Sequence, residues 1–299
     1  MEIKGLSDDN ILKISHIKEE DEWALKYRID SYHNFLKLGL PDFGPKIELD
    51  FDNIIYYKSR QESEIKNNWN DINCSVKNEL DNLGVLESEK HLDGIGVQYE
   101  SEVIYHNMLS ELEEKNVIFT SIEVAMKKYP ELVKKYFGKI VSNNENKFAA
   151  LNGAVFSGGS FIYIPPNTTL DRPLQSYFRI NSRNMGQFER TLIIVDDNSH
   201  LHYVEGCTAP TYSDSSLHAA VVEIYVGKNS SCRYSTIQNW APNVYNLVTK
   251  RALVDENGVM EWIDGNIGSR LTMKYPCCVL KGDNSKGTCI TISVASKTQ

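Results

Sequence analysis

In the second half of the chain, short apolar runs such as "RTLIIVDD", "AAVVEIYVG", "NLVTKRALVD" and "CITISVA" are punctuated by Asn, Gly, Asp and Ser. Runs rich in β-branched and aromatic residues and bounded by turn formers predict strands. The pattern also repeats. Turn asparagines at 167, 198, 229, 257 and 284 follow one another after 31, 31, 28 and 27 residues, the last four within "DDNS", "GKNS", "DENG" and "GDNS". Repeats of two or three short strands cannot bury their faces alone, so this spacing predicts stacked coils, a β-helix or related β-solenoid.

Position within the repeat predicts which side chains point inward. Counting from each of the last four turns, the third residue is Leu201, Cys232, Met260 or Gly287 and the fifth is Tyr203, Tyr234, Trp262 or Cys289. The intervening residue is polar: His202, Arg233, Glu261 or Thr288. That is a strand with one buried face. The ninth residue is Cys207, Gln238, Asn266 or Ser293, and the preceding repeat places Ser176 there. If the register holds, Cys207 stacks on Gln238, in a column of small polar residues such as a groove or tunnel through a solenoid needs.

The first half is written in a different period. Residues 19–39 carry Trp23, Leu25, Tyr27, Ile29, Tyr32 and Phe35 at broadly helical spacing, with acidic residues in the first turn and Gly39 as a stop. Residues 40–90 show no sustained period. From Glu100 to about Val141 the chain reads as helical again, with Ser121 able to cap one helix and Pro130 to occupy the first turn of the next. After Asn152, "GAVFSGGSFIYIP" reads as strands and turns, and Gly153–Ser160 has no phosphate-loop context between strand and helix. The expected fold class is α+β: a mainly helical N-terminal domain with irregular connections over 1–150, then a right-handed parallel β-helix core over 151–299.

With 299 residues and 41% hydrophobic content, the chain can bury a sizeable core. A net charge of −8 and the lack of a clustered Lys/Arg stripe argue against nucleic acid as a partner. The start "MEIKGLSDDN" has neither a basic nor an apolar leader region, and no run of about 18 apolar residues follows, so neither export nor membrane insertion is expected and the cytoplasm is the default address. Six cysteines in such a chain are expected to be reduced thiols.

Cys277 and Cys278 are adjacent on a strand and face opposite ways, which disfavours them as two ligands of one metal. His200 and His202 share a strand face and could hold a metal, but the seven histidines show no triad context, and the metal ligands stay unknown. Cys207 has two readings. Free cysteine packs as a small apolar side chain, which suits Cys232 and Cys289. Cys207 instead ends a strand beside Gly206, near Glu205 and in the polar column, where an approaching cation such as Lys250 or Arg179 could favour its thiolate.

The stretches "GGSFIYIP", "YFRIN", "MGQFERTLIIVDDNSHLHYVEGCTAP", "LHAAVVEIYV", "YSTIQNW", "NLVTKRA", "MEWIDGNIGS" and "MKYPCCVLKGDNSKG" closely resemble the SufB/SufD family of the SUF iron–sulfur cluster assembly system, and within it the SufB scaffold subunits. "PELVKKYFGKIV" and "NKFAALNGAVF" match upstream. The resemblance implies that the cysteine of "EGC", here Cys207, receives persulfide sulfur from a cysteine desulfurase through a sulfur-carrier protein. It implies that Arg179 and Asn181 of "FRIN", Gln238 and Trp240 of "QNW", and Lys250 of "TKRA" line the sulfur path. Implied partners are the SufC ATPase and SufD. The transient cargo is a nascent iron–sulfur cluster, and any need for ATP or reduced flavin enters through the complex.

Two departures accompany the resemblance. Family members continue past the position of Gln299 through further coils and a helical segment with a late cysteine, acidic and histidine residues and the SufC docking surface, so a truncated chain or fragment is expected. Its solenoid end would be covered by a partner or a second copy, as in a homodimer. The cysteine-rich N-terminal motif of some members is also missing, leaving Cys74 alone. Two other function classes stay open: an interaction module of the SUF complex that handles no sulfur, and a carbohydrate-active β-helix protein using Glu205 and Asp264 as paired carboxylates.

Overall fold

In the computed structural model, described over residues 1–59, 65–180, 182, 184–209 and 216–295, the repeat is a parallel β-solenoid of about four turns. Each turn asparagine carries a left-handed backbone, with φ of 60° at Asn167, 56° at Asn198, 53° at Asn229, 54° at Asn257 and 58° at Asn284. Asparagine tolerates this region better than other non-glycine residues. The five side chains also form a ladder, each amide after Asn167 donating to the side-chain oxygen of the previous coil at 3.0–3.3 Å.

Two parallel sheets face each other. The first contains Leu174–Arg179, His200–Thr208, Ser231–Trp240, Val259–Gly268 and Lys286–Val294; the second contains Ser160–Ile164, Arg190–Val195, Val221–Val226, Val244–Val254 and Leu271–Leu280. The predicted columns are present: Leu201 pairs with Cys232 and Cys232 with Met260, while Cys207 pairs with Gln238 and Gln238 with Asn266. Tyr203, Tyr234 and Trp262 stack inside at 5.0 and 5.2 Å between centroids.

One register differs. Cys207 lies opposite Phe178, and Ser176 lies opposite Glu205. The cause is local: Thr169 bridges to His200 and Leu174 pairs with Tyr203, so the segment through Asp171–Pro173 is two residues longer than its counterpart in the next coil.

The N-terminal region is helical but also lends strands to the solenoid. Gly94–Tyr99 joins the first sheet in parallel beside Leu174–Arg179, and Glu102–Met108 pairs back antiparallel on it. Residues 102–108 are therefore strand where helix was expected; "SEVIYHNM" is dominated by β-formers that sheet pairing selects. Ser121 caps the helix Ile122–Lys128 through its hydroxyl, which accepts from Val124 N, and Pro130 occupies the first turn of Pro130–Tyr136. These helices cover the outer face of the second sheet, packing Met126, Val133 and Phe137 against Leu192 and Ile194.

The helix Glu22–Lys37 buries Ala24, Arg28, Ser31, Tyr32 and Phe35. It packs on the helix Lys147–Val155, which crosses residue 150 and takes in "GAV" of the segment expected to be strand. That second helix is buried on every side, so no amphipathic period marked it. Gly153 is needed at the crossing, because a Cβ there would stand 2.5 Å from Ser31 Oγ. Within residues 40–90, Ile55–Lys58 pairs antiparallel with Glu2–Lys4, and short helices span Cys74–Asn82 and Val85–Ser88.

Candidate functional site

The solenoid interior changes character along each coil. Near the asparagine turns it is apolar: Ile193, Ile224, Val226, Cys232, Met260 and their neighbours form one cluster. Further along the same strands the inward positions become polar. The first sheet contributes Glu205, Thr236 and Asp264 in one column and Cys207, Gln238 and Asn266 in the next. The second sheet faces them with His218, Asn246 and Lys250 and, from the connection just before Arg190–Val195, with Glu189, all buried, and with Lys274. Alternation on the two sheets thus aims a file of polar side chains down the axis.

Cys207 sits within this file at 1% exposure, against Phe178 and Trp240. Its Sγ donates to Glu205 Oε1 at 3.6 Å and accepts from Gln238 Nε2 at 3.8 Å. Tyr234 Oη donates to the other Glu205 oxygen. Burial, then the Glu205 and Glu189 carboxylates, push the thiol well above its ordinary value, and the opposing pull of Lys274 and Lys250 is smaller. The enclosed sulfur is held as a protonated thiol, and the setting lacks the cation beside the sulfur that, in the second of the two readings from sequence, would favour a thiolate. Cys232 is equally buried, and burial alone raises it.

The other anticipated residues are distributed unevenly. Gln238 and Trp240 are in the file, and the Trp240 indole N–H donates to Gln238 Oε1 at 3.4 Å. Lys250 is fully buried, 3.0 Å from Asp264 Oδ1 and over the Tyr234 ring at 4.5 Å. Its ammonium is thus engaged by Asp264. Arg179 stands on the outer side of its strand, held by Glu79 at 2.6 Å and donating to Thr208 Oγ1 at 2.9 Å, so it is not beside the sulfur. Asn181 lies outside the described residues.

Sequence reasoning missed several members of the file. Lys274 reaches Asp264 at 2.6 Å and donates to Thr236 and Asn266 at 3.1 and 3.0 Å. Burial, then the neighbouring Lys250, pull it down to about 8. Asp264 moves the other way from what burial favours, because two ammoniums hold it well below the usual carboxylate range. Glu189 lies 2.8 Å from His218 Nε2. The signal for these was available in part: Lys274 and His218 fall on inward positions once the second sheet is put in register.

Glu205 and Asp264, the carboxylates of the carbohydrate reading, are both inside the solenoid, bound by Tyr234 and by the two lysines. Neither faces a surface groove. His200 and His202 are on the outer face, paired with Ser231 and Ser235 of the next coil at 2.8 and 3.0 Å. Among the described residues, no group of three or more His, Cys, Asp or Glu is disposed to hold a metal.

Fold and interior together define a class: a parallel β-solenoid whose axis carries buried ion pairs and amides leading to a thiol. The family model described as "SUF system FeS cluster assembly, SufBD core domain" matches residues 178–299, and that described as "SufBD protein N-terminal region" matches residues 97–176. An iron–sulfur cluster assembly SufBD family protein of Staphylococcus saprophyticus is 56% identical over 298 residues, covering 99% of this chain and 64% of the relative. Two proteins of the same description, from Staphylococcus aureus strains USA300 and NCTC 8325, are 55% identical over 298 residues, again 99% of this chain and 64% of the relatives. The chain belongs to the SufBD family. It spans about two thirds, 64%, of the length of these curated relatives.

Proposed function

We propose that this chain acts as a SufB-type scaffold in iron–sulfur cluster assembly, with Cys207 as the acceptor of persulfide sulfur. The observation that carries the reading is the setting of that cysteine. Cys207 ends on a buried row of amides and ion pairs, whereas Cys232 on the neighbouring strand is surrounded by apolar side chains.

The acceptor step is a sulfur exchange. Deprotonated Cys207 attacks the outer sulfur of a donor persulfide, a new S–S bond forms on Cys207, and the donor's S–S bond breaks. The donor leaves as thiolate and takes up the proton that Cys207 lost, so no net electrons move. Gln238 holds an amide N–H toward the sulfur, and Asn266, Lys250 and Lys274 continue the polar file into the next coils. Release of the sulfur as sulfide needs two electrons, which suits a reduced flavin supplied by the complex; no residue of this chain is assigned to flavin.

The cluster is cargo in this reading, and the protein is a carrier rather than a turnover enzyme. The sulfur donor is a cysteine desulfurase with its carrier protein, and SufC and SufD are the partners that family membership makes appropriate. Among the described residues, no helix is long and apolar enough to cross a membrane, and the cytoplasm is the compartment proposed. A second reading is favoured by the enclosure of the thiol: an interaction module of the SUF complex that handles no sulfur.

One experiment separates the two. The reduced protein is incubated anaerobically with desulfurase, carrier protein and cysteine, and persulfides are mapped by peptide mass spectrometry with Cys207→Ser as control. Sulfur on Cys207 above the other five cysteines supports the acceptor. A folded protein with no preference for Cys207 leaves the interaction module.

A further inference from the structure

The file contains a histidine that the acceptor step does not use. His218 is 1% exposed and its ring lies against Trp240, 4.8 Å between centroids. Its Nε2 is 2.8 Å from Glu189 Oε2, and its Nδ1 is 2.7 Å from Asn246 Oδ1.

The proton pattern of this chain of contacts follows from its one unambiguous donor. An indole N–H can only donate, and that of Trp240 reaches Gln238 Oε1 at 3.4 Å. Gln238 therefore turns its NH2 the other way, onto Cys207 Sγ at 3.8 Å. Asn246 Nδ2 donates to the same Gln238 oxygen at 2.9 Å and to Thr272 Oγ1 at 3.3 Å, which leaves its own carbonyl oxygen facing His218. A carbonyl oxygen only accepts, so Nδ1 carries a hydrogen; Nε2 stands 2.8 Å from Glu189 Oε2 as a close ion contact rather than an aligned hydrogen bond, and a bare nitrogen lone pair that near a carboxylate would be repelled, so Nε2 carries a hydrogen as well. The geometry makes His218 an imidazolium.

The charged groups around both ends agree. Burial alone would pull His218 down, but the Glu189 carboxylate, then Asn246 and Glu205, outweigh it and hold the ring above its ordinary value. The sulfur at the other end is faced by Glu205, Glu189, Lys274 and Lys250. Formally the file pairs three carboxylates, Glu189, Glu205 and Asp264, with His218, Lys250 and Lys274. A persulfide anion on Cys207 is one negative charge more than these cations balance, so it depends on dipoles aimed at it.

We propose that imidazolium His218 is a positioning residue for Cys207, which through Asn246 keeps the Gln238 amide N–H on the sulfur and so stabilises the persulfide anion formed there. The proposal rests on the acceptor reading. A neutral His218 with its hydrogen on Nε2 turns a lone pair toward the Asn246 oxygen. Asn246 then inverts and asks for the Gln238 NH2, while the Trp240 N–H still holds the Gln238 carbonyl inward, so Gln238 is pulled two ways and its N–H is held less firmly on the sulfur. One proton thus sets how firmly the sulfur keeps its donor.

The test uses the whole chain and cysteine persulfide as the donor, between about pH 6 and pH 9, where histidine titrates. Cys207 loading is read by peptide mass spectrometry and the His218 ring nitrogens by 15N NMR. Both ring nitrogens are expected to be protonated at neutral pH, and loading is expected to fall as the ring loses its proton above pH 6.5. The charge-balanced pair His218→Phe with Glu189→Gln is expected to load about tenfold less and to lose that inflection, as expected for removing a hydrogen bond to a charged group. Gln238→Leu, which removes the N–H without adding charge, is expected to lose loading while the His218 ring stays protonated at neutral pH. A neutral ring at pH 7, or equal loading with the same pH profile in the pair variant, overturns the proposal while leaving the acceptor standing. Wild-type protein that never loads Cys207 overturns both.

Discussion

The Cys207 thiol lies 3.6 Å from the Glu205 carboxylate, two residues back on the same buried strand face, while the nearest lysines of the file, Lys250 and Lys274, are bound to Asp264. The sulfur's close charged neighbour is therefore negative, and it adds to burial in holding the thiol protonated. An enclosed acceptor held in this way resists oxidation and chance alkylation, because the thiolate is the reactive form.

Glu205→Gln removes that negative charge and keeps the shape. The thiol is expected to become more acidic by about one pKa unit, so that alkylation of Cys207 by iodoacetamide at a fixed mildly alkaline pH speeds up about tenfold. Peptide-resolved kinetics give the answer. A slower Cys207 in Glu205→Gln would show that the carboxylate draws the proton off the sulfur, the reverse of the electrostatic argument.

Asp264 is bound by both Lys250 and Lys274. Asp264→Asn leaves two buried ammoniums facing one amide, and the expected cost is about 3–5 kcal/mol of folding stability. The pH sign follows from the direction of the shift. Burial pushes the Asp264 carboxyl up, but the two ammoniums outweigh it and its folded value lies below the unfolded 3.8. Its contribution is thus present above the unfolded value and is lost as pH falls through the folded one. Lys274 has the opposite sense: pulled down to about 8 from 10.5, its ammonium is disfavoured in the fold, and stability rises as pH climbs from about 8 toward 10.5. Urea unfolding of wild type and Asp264→Asn across pH measures both, and a variant as stable as wild type would refute the ion cluster.

How much of this was legible in the sequence depends on the kind of constraint. The asparagine spacing fixes the coils, because a left-handed turn and an amide ladder both demand the same residue at the same place, and it carried the Cys207–Gln238 register. Ser176 was misplaced because spacing counted from a turn is blind to the two extra residues before Leu174. Arg179 and Lys250 are both basic residues on strands, yet one is outside on Glu79 and the other inside on Asp264. Sequence alternation gives each strand two faces, but only the stacking of sheet on sheet decides which cation meets which carboxylate. Glu189, His218, Asn246 and Lys274 were hidden for that reason: each acquires its meaning from a residue on another strand.

Asn229 stands mid-ladder, donating to Asn198 at 3.2 Å and accepting from Asn257 at 3.0 Å, with φ at 53°. Asn229→Ala loses two side-chain hydrogen bonds and forces a left-handed backbone on a residue that disfavours it by about 1 kcal/mol. The expected loss of stability is about 2 kcal/mol, with about half recovered in Asn229→Gly, where the backbone strain is gone and the ladder is not restored. Thermal or urea unfolding of the two variants separates the terms. Equal stabilities for Ala and Gly would mean that the ladder, not the backbone, sets the turn.

Glu223 ties the helical region to the solenoid from the outer face of the second sheet. Its carboxylate accepts from the backbone N–H groups of Gly138, Ile140 and Val141 at 2.8, 3.1 and 3.1 Å and from Arg190 at 2.6 Å, all in a buried setting. Those residues follow directly on the helix Pro130–Tyr136, so one side chain anchors the end of that helix to the sheet beneath it. Glu223→Gln cannot serve all four donors, since half of its amide is itself a donor, and it leaves Arg190 as a buried unpaired cation. The expected cost is about 3–5 kcal/mol. Replacing both ions, with Arg190→Met and Glu223→Leu, relieves the cation but still orphans three backbone N–H groups, so only partial recovery is expected. Hydrogen exchange distinguishes this anchor from a general weakening of the fold. In Glu223→Gln, protection is expected to fall at residues 138–141 and along the preceding helix while the strands around Asn229 keep theirs. Uniform loss across both regions would show that helix and solenoid open as one cooperative unit and that Glu223 is not their hinge.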